Sequence, residues 1–420
     1  MPVAAAAEAL VHVPAQLPVQ VTAVLPIREY LLTGATAAIV TFLLVGPVRL
    51  LALRLGAVAW PRGRDVHVTP TPRWGGLAML VGVAAGVATA YQLPALRLAF
   101  DAYMGATPEV VWVLAAGAVL AAVGVLDDRY ELDALTKLAG QITAAGVLVL
   151  GGVQFSAIWV PWGGGTTATG SFVLLGQEQG VLLTVLLTVA LINAMNFVDG
   201  LDGLAAGIGL IAAAAVGAFA IGLVRENGND PLVYSPALIA AVLAGACLGF
   251  LPHNFNPSRI FMGDSGSMLI GLMLAAATTS ASGRLTFTDQ TDGGDVLALF
   301  SPLLVLAAVV LVPLLDLLMA VVRRTRKGMS PFSPDKMHLH HRLLEIGHSH
   351  RRAVLLIYLW AALLAFGAVA LALIDDAFVV LSSIGVGLVA AVLATAVPRA
   401  ARTVHPGSDR VRPAESPPSS

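Results

Sequence analysis

Residues 180–224 read GVLLTVLLTVALINAMNFVDGLDGLAAGIGLIAAAAVGAFAIGLV. Two apolar runs, near 180–198 and 203–224, have about the 20-residue length needed to cross a bilayer as helices. Between them lies NAMNFVDGLDG, 193–203, with Asn193, Asn196, Asp199 and Asp202 spaced every three residues. A carboxylate at membrane depth costs on the order of several kcal/mol unless it is paired, solvated or metal-bound. On a straight helix this spacing drifts by about 60° per step, so the four side chains cannot share one face. Gly200 and Gly203 let the backbone break, which would gather all four around one cavity. A plain polar turn accounts for Gly and Asp but not for four such side chains, so the stretch reads as a site.

The rest of the chain repeats the pattern. It is 57% hydrophobic and only 12% charged, with a mean hydropathy of +0.84, which excludes an ordinary soluble domain. About eleven stretches of spanning length are expected, near 30–53, 75–94, 108–126, 136–153, 180–198, 203–224, 234–252, 266–282, 296–322, 353–374 and 377–397. Many are rich in Ala and Gly, which lets helices approach closely in lipid. The fold class is therefore an all-α polytopic membrane protein. Cys247 is the one cysteine, so neither a disulfide nor a thiolate metal site is expected. Residues 1–26 read as an outer N-terminal tail without the charged start of a signal peptide. The transmembrane catalytic domain runs 27–398, and 399–420 is a disordered, basic cytoplasmic tail.

Basic residues orient the chain. With the N-terminus outside, only Arg28, Arg97, Arg225 and Arg284 of the 24 Lys and Arg fall on outer segments. Eleven spans then bring the C-terminus to the cytoplasm. The polar loops 54–74, 127–135, 193–203, 253–265 and 323–352 share that side. The outer loop 154–179 has two short apolar runs about GGGTTATG, and a small hairpin is expected near 154–175.

The cytoplasmic loops carry the chemistry. GVLDDRYELD places Asp127 and Asp128 side by side, which is costly without a shared cation or proton; an interfacial cap with Arg129 explains the pair as well. Lys137 follows, as a snorkelling anchor or as a phosphate ligand on the same surface. HNFNPSRIFMGDSGS, 253–267, offers Asn254, Asn256 and Asp264 as hard oxygen donors suited to Mg²⁺ or Mn²⁺, and Phe261 as a stacking surface. In SPDKMHLHHRL, His338, His340 and His341 do not have a standard zinc spacing; imidazoles beside a diphosphate fit better. Arg73 lies in PTPRWGG, which reads equally as a stiff connector or as part of the site.

In order along 54–352, the PTPRWGG loop, the DD pair with Lys137, NxxNxxDGxDGLA, NFNPSRIFMGDSGS and the HLHH loop resemble the polyprenyl-phosphate N-acetylhexosamine-1-phosphate transferases. The HLHH form is similar to the bacterial UDP-GlcNAc:polyprenyl-phosphate GlcNAc-1-phosphate branch. The phospho-MurNAc-pentapeptide transferase branch, kept as the alternative, usually carries three consecutive histidines and a lysine-rich second loop. The resemblance implies an enzyme that moves GlcNAc-1-phosphate from UDP-GlcNAc to undecaprenyl or decaprenyl phosphate, releasing UMP. This is a first lipid-linked step of a cell-envelope polysaccharide, made at the cytoplasmic face of a bacterial inner membrane.

By the same resemblance, Asp264 and Asn196 hold Mg²⁺, with Mn²⁺ as a substitute, and Lys137 contacts the diphosphate. Asp202 and Phe261 bind the uracil. Asp127, with Asp128 beside it, accepts or orients the proton of the lipid phosphate. His338, His340, His341, Asn193, Asp199, Asn254 and Arg73 complete the pocket. Expected partners are the two substrates, membrane lipid and a second copy of the chain as a homodimer, with no nucleic acid. A secondary transporter is the rival from another class, but no inverted repeat is visible.

Overall fold

The computed structural model describes residues 25–60, 70–101, 107–160, 171–284, 348–374 and 376–396, with a few positions between 322 and 328. Its long helices are α1 (Ile27–Leu55), α2 (Gly75–Gln92), α4 (Glu109–Tyr130), α5 (Ala134–Leu150), α6 (Gln177–Val198), α7 (Leu204–Glu226), α8 (Tyr234–Asn254), α9 (Gly263–Ser282), α10 (His350–Leu373) and α11 (Ala377–Ala396). They coincide with ten of the eleven expected stretches. The eleventh, 296–322, lies outside the described residues, as do both tails and most of the 323–352 loop. Among the described residues, eight helical segments are long and apolar enough to cross a membrane.

Two of the ten helices are not among those eight, for different reasons. The apolar helix α5 is short. In α9 every residue from Ser265 to Ala281 is buried, because α4, α6, α2, α8 and α7 all pack around it. A helix with no lipid-facing side can carry Ser265, Ser267, Thr278, Thr279 and Ser280 without exposing them to hydrocarbon.

Small residues set the close packing. Gly245 and Gly249 of α8 lie over Gly34 and Ala38 of α1, and a Cβ on either α8 glycine would run into the α1 backbone. This is small-residue packing at i, i+4 on both helices, the arrangement that gains van der Waals contact where no hydrophobic effect separates helix from lipid.

The outer hairpin is present: β3 (Ala157–Val160) pairs antiparallel with β4 (Ser171–Leu174), Ala157 opposite Leu174. A second short pair, β1 (Val58–Ala59) with β2 (Thr71–Pro72), was not expected. Nor was α3 (Pro94–Asp101), in what reads as an outer loop. Pro94 starts it, where its missing N–H costs nothing, and the Glu29 carboxylate accepts from Ala95 N at 3.2 Å and Leu96 N at 2.8 Å.

Helices running alternately up and down bring Arg28, Arg97, Arg225 and Arg284 to the end of the bundle opposite the Asp127 end. There Arg284 pairs with Glu109 at 2.6 Å, and Ser280 donates to the same carboxylate at 2.6 Å. Single cysteines at Ser156 and Glu131, at opposite ends of α5, should therefore label with an impermeant maleimide from opposite sides of sealed vesicles. Cys247 is buried and should stay silent. Labelling of both positions from one side would overturn this topology.

Candidate active site

The C-terminal ends of α4, α6 and α8 and the N-terminal ends of α2, α5, α7 and α9 meet at one face of the bundle. Asp127 and Asp128, adjacent in the last turn of α4, are about 100° apart around the helix and face different neighbours. Asp127 Oδ2 lies 2.6 Å from Lys137 Nζ of α5, which is also 3.0 Å from Asp264 Oδ2 of α9. One ammonium thus bridges two carboxylates from separate helices. Asn196 of α6 helps hold the Asp264 carboxyl below the usual range and donates to Ser267 Oγ at 3.0 Å.

Asp128 instead caps α9 from outside the helix. Its carboxylate accepts from Asp264 N at 3.1 Å, Ser265 N at 3.5 Å and Ser265 Oγ at 3.3 Å. These are the free N–H groups of a helix start, which favour a negative partner. Arg73 Nη1 lies 4.0 Å from Asp128 Oδ1. The cap depends on glycine: Gly263 has φ +68, and a Cβ there would collide with the Asp128 carboxylate. Asp128 therefore sets where Asp264 stands.

The PTPRWGG loop is part of this construction, not a connector. Phe261 N donates to Pro72 O at 2.8 Å, Gly75 N to Phe261 O at 3.0 Å and Gly76 N to Met262 O at 3.0 Å. Trp74 Nε1 reaches Val125 O on α4 at 3.2 Å. Side chains at Gly76 or Gly124 would strike the backbone at Ser265 and Gly266, so the loop, α4 and α9 touch through bare backbone. Phe261 is half-buried within this stitch.

The backbone breaks after α6 as expected, with Gly203 at φ +82, and the polar residues around the break take different partners. Asn193 turns to α5, donating to Gln141 Oε1 at 2.7 Å and accepting from Gln141 Nε2 at 3.4 Å. Asp202 turns to the 253–262 loop, accepting on Oδ2 from Asn256 Nδ2 at 3.0 Å and Ser258 N at 3.1 Å. Asn254, fully buried, ties the two loops: Gly203 N donates to it at 3.1 Å and it donates to Ile260 O at 3.0 Å. Asn196 and Asp199 stay with Asp264 and Asp128, and Asp202 is near enough for its charge to act on Asp199.

Loss of water pushes the Asp199 carboxyl up to about 8, with the negative charges of Asp264, Asp128 and Asp202 adding to the effect. Its proton is then held more tightly folded than unfolded between about pH 4 and pH 8, so folding stability falls as pH rises through that window. Asp199→Asn should flatten that slope and raise the melting temperature of the ligand-free protein at pH 8. Parallel melts from pH 5 to 8 check this; a variant less stable at pH 8 than the parent would contradict it.

Asp127, Asp128 and Asp264 against Lys137 and Arg73 leave an excess of negative charge, which suits a divalent cation. Among the described residues no three His, Cys, Asp or Glu form a ready metal cage. Asp264 and Asn196 are the hard oxygen donors at the right place. His338, His340 and His341 lie outside the described residues. Gln141, Ser265 and Ser267 had no distinguishing signal beyond being polar groups within spans or in the GDSGS string.

The profile of glycosyl transferase family 4 matches residues 110–282, from the start of α4 to the end of α9. A decaprenyl-phosphate N-acetylglucosaminephosphotransferase of Mycobacterium tuberculosis is 61% identical over 343 residues, covering 82% of each chain. Its counterpart in Mycolicibacterium smegmatis is 58% identical over 89% of each. A probable undecaprenyl-phosphate N-acetylglucosaminyl 1-phosphate transferase of Bacillus subtilis is 34% identical, over 80% of this chain and 83% of that one.

Proposed function

The chain belongs to glycosyl transferase family 4, among its polyprenyl-phosphate N-acetylglucosamine-1-phosphate transferases, and we propose that it takes the sugar phosphate from UDP-GlcNAc on the cytoplasmic side of the bacterial inner membrane. GlcNAc-1-phosphate is transferred to a polyprenyl phosphate. Relatives at 58–61% identity are named for decaprenyl phosphate and those near 34% for undecaprenyl phosphate, so decaprenyl phosphate is the acceptor proposed. An oxygen of the lipid phosphate bonds to the sugar-bearing phosphorus of UDP-GlcNAc. The bond from that phosphorus to the bridging oxygen breaks, and the electron pair leaves with UMP.

The observation that carries this reading is the bridge Asp127–Lys137–Asp264, a cation and two acids from three helices at one membrane face. Phosphoryl transfer between anions needs in-line positioning and charge neutralisation more than covalent help. A magnesium ion held by Asp264 and Asn196 would supply part of that neutralisation. Lys137 supplies a second positive charge to the diphosphate. Asp127, at headgroup level, orients the lipid phosphate or takes its proton, and Asp128 keeps α9 in register. The Asp202–Asn256 clasp forms the base end. The acids gather at one end of the helices, not at the midplane where a transporter would carry them.

Membranes containing the protein, given UDP-GlcNAc radiolabelled in the sugar together with decaprenyl phosphate, should yield labelled lipid and UMP. One diphosphate bond is exchanged for another, so added UMP should regenerate UDP-GlcNAc from the lipid product. Release of UDP would mean transfer of the sugar alone and would end this reading.

A further inference from the structure

Helix α5 enters the site with little to seat it. From Ala134 to Gly140 none of its residues is buried, and Lys137 stands within that stretch. Gly140 lies flat against Val123 of α4, where a Cβ would meet the valine side chain at 2.7 Å. The two helices therefore come close there without an interlocking side chain. The first buried residue of α5 is Gln141, 3% exposed and the helix's one buried polar side chain. Its amide forms a two-way pair with Asn193 of α6, Oε1 accepting at 2.7 Å and Nε2 donating at 3.4 Å. Asn193 is steadied in turn by donating to Val189 O at 2.8 Å. Gln141 Nε2 also donates to Met268 Sδ of α9 at 3.8 Å. Gln141 lies one turn after Lys137, and Met268 one turn after Asp264. The contact thus repeats, one turn deeper, the approach of Lys137 Nζ to Asp264 Oδ2 at 3.0 Å.

We propose that Gln141 is a positioning residue for Lys137. Apolar contact is non-directional and lets a helix turn or slide, whereas a paired amide is satisfied in one orientation only. Turning α5 about its axis breaks the pair and leaves buried polar atoms without partners, which opposes the movement. The same turn swings the Lys137 ammonium off the bridge it makes between Asp127 and Asp264. Gln141 therefore holds the ammonium where it faces both acids, and where it meets the second phosphate of the donor, the one that UMP lacks. The inference rests on the reading of Lys137 as the cation that contacts the diphosphate.

Calorimetric titration of the purified full-length chain with UDP and with UMP, both in Mg²⁺, tests it. Gln141→Met keeps the length and apolar fit of the side chain but not its amide. It should weaken UDP about tenfold, the loss of one well-placed hydrogen bond from a charged group, and leave UMP unchanged. A merely structural role would loosen both nucleotides alike. An equal loss of UDP and UMP, or an unaltered UDP-to-UMP ratio in the folded variant, therefore overturns the proposal. In a Lys137→Met background, Gln141→Met should weaken UDP no further. A second loss of the same size means that the two residues act independently, and also overturns it. If Gln141→Met does not fold, Gln141→Asn, one methylene short of Asn193, is read by the same ratio with the same expected loss. Lys137→Met alone separates the premises. If it leaves the ratio unchanged, the diphosphate reading of Lys137 has failed; if it lowers UDP while Gln141→Met does not, only the role of Gln141 has failed.

Discussion

Asp264→Asn is expected to lower turnover by roughly three orders of magnitude, the scale of removing a preorganised charge from a phosphoryl-transfer site. The substitution is nearly isosteric, so packing at the α9 start should survive. What goes is the charge that Lys137 Nζ approaches at 3.0 Å and that would offset a divalent cation. Activity should also require Mg²⁺ or Mn²⁺ and vanish in chelator. Turnover is measured by labelled lipid formation, with the melting temperature as a control for folding. Full activity of the wild-type chain in excess chelator would defeat the metal-assisted reading.

The second large effect separates two aspartates by what they do. Asp127→Asn should depress kcat by about 10²- to 10⁴-fold, the usual range for a lost proton-transfer group, with UMP affinity nearly unchanged. Asp202→Ala should mainly weaken UMP and UDP-GlcNAc, by roughly 1–3 kcal/mol for one unmade buried hydrogen bond. The geometry supports the division. Asp127 faces Lys137 at the end of α4, whereas Asp202 holds the 253–262 loop through Asn256 and Ser258. Kinetics and UMP calorimetry on both variants check it. Loss of UMP binding in Asp127→Asn, with binding kept in Asp202→Ala, would reverse the two roles.

Much of this was legible in advance. The positions of ten helices, the hairpin after α5 and the gathering of the acids at one bundle end follow from hydropathy, turn residues and the placement of arginines. These signals are local or additive, so a linear string carries them. The expected gathering of Asn193, Asn196, Asp199 and Asp202 left their individual partners unspecified. Asn193 pairs with Gln141, a partner 52 positions away, and no spacing rule reports such a choice. PTPRWGG read equally well as a connector, because its three backbone hydrogen bonds reach 261–262.

The sequence by itself determined that this is a multi-pass membrane protein with an oxygen-rich, cation-bearing site at one face, because burying such groups in hydrocarbon is too costly to be accidental. Tertiary structure alone decided which acid meets which partner. Asp127 and Asp128 are neighbours in the chain, yet a helical step of about 100° sends one to Lys137 and the other to the α9 N-terminus. Partner choice is a property of three-dimensional contact, where helix rotation and the bare backbone at Gly76, Gly124 and Gly263 set distances that residue order does not encode.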